Sequence, residues 1–427
     1  MAQSPAAEEA DHDARRATQW LAGAARCDGV SREELLHLGT AMAALATDPG
    51  AGPAGRDPIV KPLPDPHFVR RDGNAEMRWS ALAGQGYLVP TDRFFVRNHT
   101  HTPVLDADTW RLSLFGTGLR GTPTRDAPIE IGYRDLRDLP AEKSTALVEC
   151  AGNGRHFFAR QGDPTPGVDW TLGAVGVARW RGVRLSTVLR HAGLTDAAVD
   201  VQPEGLDPEY VTGGVNLGRV RRPLPVGKAL HDVLLAYEMN GRPLPADHGF
   251  PVRLVVPGWV GISSIKWVGP VEVSATPLFS PWNTRFYRMF GPGHPAGGGP
   301  PLTAQNVKSA FELPWDARLP DTAEVLLTGR SWSGRGPIRT VEVSVGRDGD
   351  DDARWRPARL VDADRDGAWQ RWSLRWRPPA PGRWILRARA TDVTGAGQPD
   401  RAAANDLGYL FDGVVRHPVL VTRTAGS

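Results

Sequence analysis

Ala146-Leu147-Val148-Glu149-Cys150-Ala151-Gly152-Asn153-Gly154-Arg155 is an apolar run that stops abruptly in a loop. Ala146, Leu147 and Val148 have the character of a short strand, which Glu149-Cys150 ends. Gly152 and Gly154 let the following backbone turn sharply and approach a ligand closely. The stretch thus sets one thiol, Cys150, at a strand end, with Arg155 five residues on. The chain has only 2 cysteines, and Cys27 sits in a very different context, so neither belongs to a disulfide framework. A lone cysteine is most often a small buried hydrophobe. The alternative is a soft metal ligand or a reactive thiol, and the surrounding chain decides between them.

A chain of 427 residues is long enough for two or three domains with sizeable cores. Hydrophobic content of 41% and charged content of 23% are those of an ordinary globular protein. The 48 glycines and 38 prolines favour turns and short strands over long helices. With 51 basic and 48 acidic residues the net charge is only +3, which excludes the concentrated basic stripe of a nucleic-acid binder. No apolar run reaches transmembrane length. Residues Ser31 to Thr40 faintly resemble a twin-arginine export signal, but a single Arg32 precedes two glutamates. Arg15-Arg16 is a true pair with no apolar segment close behind it. A cytoplasmic location is therefore favoured, with export as the alternative.

Residues 1–50 read as helical, with Ser31 and Glu34 at capping-box spacing. The proline-rich stretch from Gly50 to Pro66 reads as a linker or an arm wrapping the next domain. From Pro90 to about Val273 the texture is mixed and mostly β. Arg93 to His99, Trp110 to Gly116, Asp232 to Glu238, Phe250 to Gly258 and Ile265 to Val268 read as strands, and Leu185 to Ala192 as a short helix ended by Gly193. Asn240-Gly241 is a hairpin turn. The connector from Thr276 to Pro301 holds Phe279, Trp282, Phe286 and Tyr287, which suits a segment lying against a domain surface. Beyond Thr303, Val341, Val343 and Val345 alternate with polar residues, as do Trp372, Leu374 and Trp376, between turn signals. This is the pattern of a small immunoglobulin-type sandwich. Six of the 15 tryptophans fall between Trp332 and Trp384 and are expected in core and interface.

Polar residues punctuate the strands of the middle region: Arg97, Asn98 and His99; Cys150 and Arg155; Asp247 and His248; Arg253; Lys266. Charged groups in such apolar segments are costly unless they meet a partner. Arginines, a lysine and a histidine converging would hold phosphate or a similar anion. A thiolate beside them adds a soft ligand, so the combination points to a metal cofactor with a phosphate tail. Taken singly, Arg97 reads equally as a structural ion-pair member and His248 as a satisfied turn histidine. No Cys-x-x-Cys or His-Glu-x-x-His zinc motif, Walker loop, nucleophile elbow or Cys-x-x-Cys-His haem motif occurs.

These residues resemble the sulfite oxidase family of molybdenum-pterin enzymes. The matching stretches are Phe95-Val96-Arg97-Asn98-His99, Glu149-Cys150-Ala151-Gly152-Asn153, Gly173 to Trp180, and Leu234 to Pro257, which contains Asp247-His248-Gly249-Phe250-Pro251-Val252-Arg253. The resemblance implies an α+β fold: a mixed, mostly-β molybdopterin-binding domain followed by an immunoglobulin-like β-sandwich dimerisation domain. The expected division is an N-terminal extension and arm over 1–60, the oxidoreductase domain over 61–275, the connector over 276–302 and the sandwich over 303–427.

The resemblance also implies roles. Cys150 matches the thiolate that binds molybdenum. Phe95, Val96, Arg97, Asn98 and His99 match a pterin-binding loop, and Asp207, His248, Arg253, Ser264, Ile265 and Lys266 match further contacts to pterin and phosphate. Arg97, Arg155, Trp170 and Tyr287 match the lining of an anionic substrate pocket. The implied cofactor is Mo-molybdopterin, with no haem in this chain. The implied reaction is sulfite to sulfate by oxygen-atom transfer, in a homodimer, with electrons leaving to a separate acceptor, a cytochrome or oxygen. Two features depart from the family pattern: Phe157 to Val168 is longer, and Asn405 to Tyr409 lacks an arginine. The alternatives are a molybdenum enzyme acting on nitrate or a sulfoxide, and a β-sandwich binding protein that has lost its cofactor.

Overall fold

Ala146-Leu147-Val148 is the buried end of a longer strand, Ala141–Glu149. The computed structural model describes residues 58–423 apart from residues 72, 322, 351–353 and 363–366. The helices expected in residues 1–50, Cys27 and the start of the proline-rich arm lie outside the described residues.

Ala141–Glu149 pairs antiparallel with Val175–Arg184 along its whole length, from Ala141 opposite Val183 to Glu149 opposite Val175. Leu234–Met239 continues that sheet and takes Arg242–Pro243 as its hairpin partner and Arg253–Val255 on another flank. The hairpin turn is the expected one: Asn240 and Gly241 have φ of 54° and 84°, as a type I′ turn requires. A second five-stranded sheet runs Leu224–Pro225, Asp200–Gly205, Val268–Ser274, Arg111–Phe115, Ile129–Gly132.

The two sheets share a core of Leu112, Leu114, Val183, Val201, Leu235, Leu254 and Val271. The opposite face of the first sheet is also covered. Ala146, Val148, Val177, Trp180 and Ala236 pack with Trp79 and with Trp332 and Trp369 of the C-terminal domain. Burial on both faces explains why Ala146-Leu147-Val148 is continuously apolar rather than alternating.

The C-terminal domain is a sandwich of a four-stranded sheet, including Lys308–Phe311 and Val325–Trp332, on a five-stranded sheet, including Ile338–Arg347 and Gly382–Asp392. Trp372, Trp376 and Trp384 fill its core with Val341, Val343 and Leu386. Trp332 stacks on Trp79 across the domain boundary, centroids 5.9 Å apart. Five of the six tryptophans between Trp332 and Trp384 thus occupy core or interface, and Trp355 lies half-buried on an edge strand.

Three strand expectations need correction. Arg93 to His99 is not a strand: a 3₁₀ turn over Thr91–Arg93 leads into an extended segment with one bridge, Val96 to Ala75. Phe250 to Gly258 contains only Arg253–Val255 as strand, because Pro251 and Pro257 bracket it and cannot donate to a ladder. Ile265 to Trp267 form a loop, and the strand starts at Val268; Trp267 has a φ of 52° that no strand residue adopts. The aromatic connector behaves as expected and goes deeper, with Trp282 and Tyr287 entering the first core. Among the described residues no helix is long and apolar enough to cross a membrane.

Candidate functional site

The strand Ala141–Glu149 ends at a cavity, and Cys150 lies at its wall as a free, half-buried thiol. The Cys150 N–H donates to Ala174 O at 3.0 Å, and its carbonyl accepts from Asn153 N at 2.9 Å. Behind the loop, a Cβ added to Gly261 would stand 2.6 Å from the Glu149 carbonyl oxygen. Only glycine permits this close approach of two backbones.

Opposite the thiol stands the extended segment 94–99. Its single bridge to Ala75 buries Val96 in a small cluster with Ile59, Leu63 and Phe68. The alternation of an extended chain then turns Phe95 and Arg97 to the cavity. Arg97 Nη1 is shielded from solvent and has no hydrogen-bond partner. Such an unmet donor on a guanidinium is costly unless a ligand accepts from it.

His99 Nε2 accepts from the Trp282 indole at 3.2 Å and lies 3.4 Å from the Tyr287 hydroxyl. An indole N–H only donates, so Nε2 carries no proton and His99 is neutral with its proton on Nδ1. Burial, then Arg97 and Lys266, hold its pKa well below the usual range, in agreement. Tyr287 reaches the cavity from the connector with a φ of 57°, a strained backbone that over-determines where its ring points.

The far end of the cavity is crowded with cations. Arg253 donates only to carbonyl oxygens, to His248 at 3.1 Å, Ser264 at 3.0 Å and Leu254 at 3.2 Å. With no carboxylate beside it, burial lowers its pKa to about 9. Lys266 donates to Asn98 Oδ1 and to Asp247 O, and burial holds it well below the usual lysine range. His248 is held low by burial and by Lys61, Lys266 and Arg253. Asp207 is pushed up to about 6 by burial, against the pull of Lys266. The Ser264 hydroxyl accepts from Val256 N, which fixes the loop that carries Ile265 and Lys266.

Of the residues anticipated from sequence, Phe95, Arg97, Asn98, His99, Cys150, Asp207, His248, Arg253, Ser264, Ile265, Lys266 and Tyr287 line this one cavity. Val96, Arg155 and Trp170 do not. Trp170 is buried in the core behind the Cys150 loop. Arg155 spends its guanidinium on carbonyls, with Nε and Nη2 to Leu407 O at 3.2 and 2.9 Å and Nη1 to Val168 O at 2.9 Å. It lies 5.6 Å from the ring of Tyr409.

Sequence reasoning missed Phe94 and Trp267, which also line the cavity, and it missed Lys61. The described part of the arm, from Pro58, crosses this end of the cavity. Val60 N and Lys61 N donate to the Asp247 carboxylate, and Lys61 Nζ donates to Phe94 O at 2.5 Å and lies 3.4 Å from His248 Nε2. Burial lowers the Lys61 pKa to about 7. A single lysine in a proline-rich arm carries no signal of this in the sequence.

The donor set fits a phosphate-bearing group with a soft metal. Lys61, Arg97, Arg253 and Lys266 face the carboxylates of Asp207 and Asp247, with Asp92 also acting on Lys61, and burial depresses three of the four cations. A phosphate group would supply the negative charge that their burial lacks. Cys150 stands at the other end, against Arg97 and Tyr287, where a thiophilic metal would sit.

Residues 99–282 match the family described as oxidoreductase molybdopterin binding domain. The chain is 34% identical over 84% of its length to the mitochondrial sulfite oxidase of Mus musculus, of which it spans 64%. It is 35% identical over 84% of its length to the sulfite oxidase of Gallus gallus, of which it covers 77%. Among solved structures, the sulfane dehydrogenase SoxCD of Paracoccus pantotrophus superposes with a TM-score of 0.66 at 26% identity, over 80% of this chain and 82% of that one.

Proposed function

The chain belongs to the sulfite oxidase family of molybdopterin oxidoreductases, and on that premise we propose that it oxidises sulfite to sulfate at a molybdenum–pterin centre held by Cys150. Molybdopterin is the cofactor of the matched family domain. When bound, it supplies oxygen-atom transfer and takes up two electrons.

The chain's own residues have separate tasks. The Cys150 thiolate is the soft ligand. Arg253, Lys266, His248 and Lys61 hold the phosphate, with Asn98 and Asp247 fixing Lys266. Arg97 presents its unmet Nη1 to the substrate oxyanion, a charge-assisted bond. Tyr287 keeps its proton, because burial raises its pKa, so its hydroxyl stays a donor. Neutral His99 adds no positive charge beside Arg97 and accepts from Trp282, which leaves the Tyr287 hydroxyl to turn toward substrate. Electrons leave to a separate acceptor, a cytochrome or oxygen, and the C-terminal sandwich carries a homodimer contact.

The observation that carries this reading is the pairing, in one cavity, of a free thiol with a guanidinium that lacks an acceptor. Steady-state turnover of molybdenum-loaded protein with sulfite and an artificial acceptor tests it. Absence of turnover in a fully loaded sample removes the substrate claim. Cys150→Ser is expected to abolish turnover without unfolding the chain.

One observation favours a second reading. Arg155 is committed to carbonyls, so Arg97 is the arginine beside Cys150 that remains for substrate among the described residues. A substrate bearing less charge than sulfite dianion, a sulfane group, a sulfoxide or nitrate, suits a single guanidinium better. A panel of these substrates run in both redox directions separates the readings.

A further inference from the structure

The loop that carries Cys150 is held from behind by the C-terminal domain, and it is held at every second residue. Glu149 Oε1 accepts from Lys308 Nζ at 2.7 Å, and its Oε2 accepts from the Trp332 indole at 3.0 Å. Ala151 O accepts from Leu410 N at 2.8 Å. Asn153 O accepts a second bond from Lys308 Nζ at 2.9 Å, and Asn153 Nδ2 returns to Glu149 Oε1 at 2.9 Å. Arg155 reaches the Leu407 carbonyl. Gly154, with φ of 95°, lies so close to Phe411 that an added Cβ would meet its ring at 2.8 Å. The partners Lys308, Trp332, Leu407, Leu410 and Phe411 all lie beyond residue 302, whereas Ala174 and Val168 hold the loop from its own domain, and Cys150 lines the cavity.

The Lys308–Glu149 pair lies at the centre of this grip. Both side chains are almost wholly buried, at 2% and 3% exposure. Lys308 and Trp332 are cross-strand partners in the sandwich, so one rigid pair of strands delivers both donors. A buried ion pair seldom adds net stability over apolar residues of the same size, and its better-attested use is to fix one geometry. Here the geometry fixed is that of the residue next to the thiol.

We infer that Lys308, with Trp332, is a positioning residue for Cys150, so that the C-terminal domain sets the geometry of the thiolate rather than serving only as an assembly module. The inference rests on Cys150 being the metal ligand. Removing Lys308 is expected to let the Cys150 loop relax, leaving substrate contacts in place but misplacing the sulfur.

The test uses the full chain carrying Cys27→Ser, so that Cys150 is its one thiol. Lys308→Met, Lys308→Arg, Trp332→Phe and the double variant Glu149→Gln/Lys308→Met are compared. The double variant removes the buried charge on both sides and stays folded if the single one does not. In cofactor-free protein, the rate of Cys150 alkylation by iodoacetamide is measured under native conditions. In loaded protein, the Mo(V) electron paramagnetic resonance spectrum is recorded, and kcat is separated from KM. The expected result is alkylation faster by about tenfold in the Lys308→Met and double variants, a shifted Mo(V) spectrum, and a fall in kcat at nearly constant KM, with Lys308→Arg restoring much of each. A lower melting temperature with alkylation and spectrum unchanged overturns the inference, leaving Lys308 a stabilising contact only. Cys150→Ser is the control: if it keeps the wild-type Mo(V) spectrum, the ligand assignment itself fails, a different outcome from failure of the clamp.

Discussion

The ring of Tyr287 is stacked on that of Tyr409, centroids 5.2 Å apart and planes 13° from parallel. Tyr409 belongs to the C-terminal segment and Tyr287 to the connector, and the Arg155 guanidinium backs the pair at 5.6 Å from Tyr409. Behind the cavity wall that Tyr287 forms therefore lie the Tyr409 ring and then the Arg155 guanidinium. An offset aromatic pair contributes about 0.5–1.5 kcal/mol beyond its buried area. Tyr409→Phe, which keeps the stack, should leave turnover within about twofold of wild type. Tyr409→Ala frees the Tyr287 ring and should lower kcat about as much as Tyr287→Phe, by roughly 10- to 100-fold. Steady-state kinetics on the three variants check the order. Equal activity in Tyr409→Ala and Tyr409→Phe would show that the stack does not hold Tyr287.

Arg97 differs from every other cation in the cavity in having a shielded nitrogen with no acceptor. A hydrogen bond to a charged group contributes about 1.5–3 kcal/mol, which corresponds to roughly 10- to 150-fold in affinity. Arg97→Met should raise KM by about that factor for an anionic substrate while molybdenum content stays that of wild type. Loss of metal with an unchanged KM would instead assign Arg97 to the cofactor.

Much of this is legible in the sequence. The motif segments gave a mostly-β oxidoreductase domain and a sandwich, and 12 of the anticipated residues share one cavity. What could not be read was commitment. Arg155 and Arg97 look alike in the sequence, but one is spent on the carbonyls of Leu407 and Val168. Those acceptors lie in different segments, one of them about 250 residues away. Lys61 was invisible for the same reason, since its role depends on an arm folding back on Asp247. The strands misread at Arg93 to His99 and Ile265 to Val268 are apolar enough for the pattern. Phe94 to His99 and Ile265 to Trp267 stay out of the sheets, and most of their residues line the cavity, while Val268 begins a strand.

Arg253 and Lys266 donate hydrogen bonds only to neutral oxygens, and the nearby Asp207 and Asp247 carboxylates leave Lys266 still held low by burial. Arg253→Met and Lys266→Met should therefore act on cofactor retention. Each should lower molybdenum per purified chain, with cofactor lost about 10- to 100-fold more readily on dilution. The fraction that remains loaded should turn over with the wild-type KM. Metal analysis alongside kinetics on the same samples makes the comparison. A raised KM at full loading would move these residues from the phosphate to the substrate.

The same burial makes the cofactor-free protein sensitive to pH, and Lys61 and Asp207 contribute in opposite directions. The half-buried Lys61 has a folded pKa of about 7 against an ordinary 10.5. Between those values the unfolded chain holds a proton that the folded chain lacks, so stability rises with pH across that window. Below about pH 7 the penalty of burying the charge is present in full. Asp207 is raised from 3.8 to about 6, so between those values the folded chain holds the extra proton and stability falls as pH rises. Over that lower window His99, His248 and His417, held low by burial, act in the opposite sense to Asp207, so the climb above about pH 7 that Lys61 contributes is the clearer signal. Urea unfolding of cofactor-free protein across pH 5 to 10 should show that climb, and Lys61→Met should make it shallower, leaving the share that belongs to Lys266. A bound phosphate supplies the missing negative charge, which raises the Lys61 pKa and flattens the same climb. Adding inorganic phosphate to the wild-type protein should therefore reproduce the flattening by stabilising the protein most near pH 6 to 7, where Lys61 is charged. Stabilisation by phosphate that is equal at all pH values would mean the anion binds elsewhere.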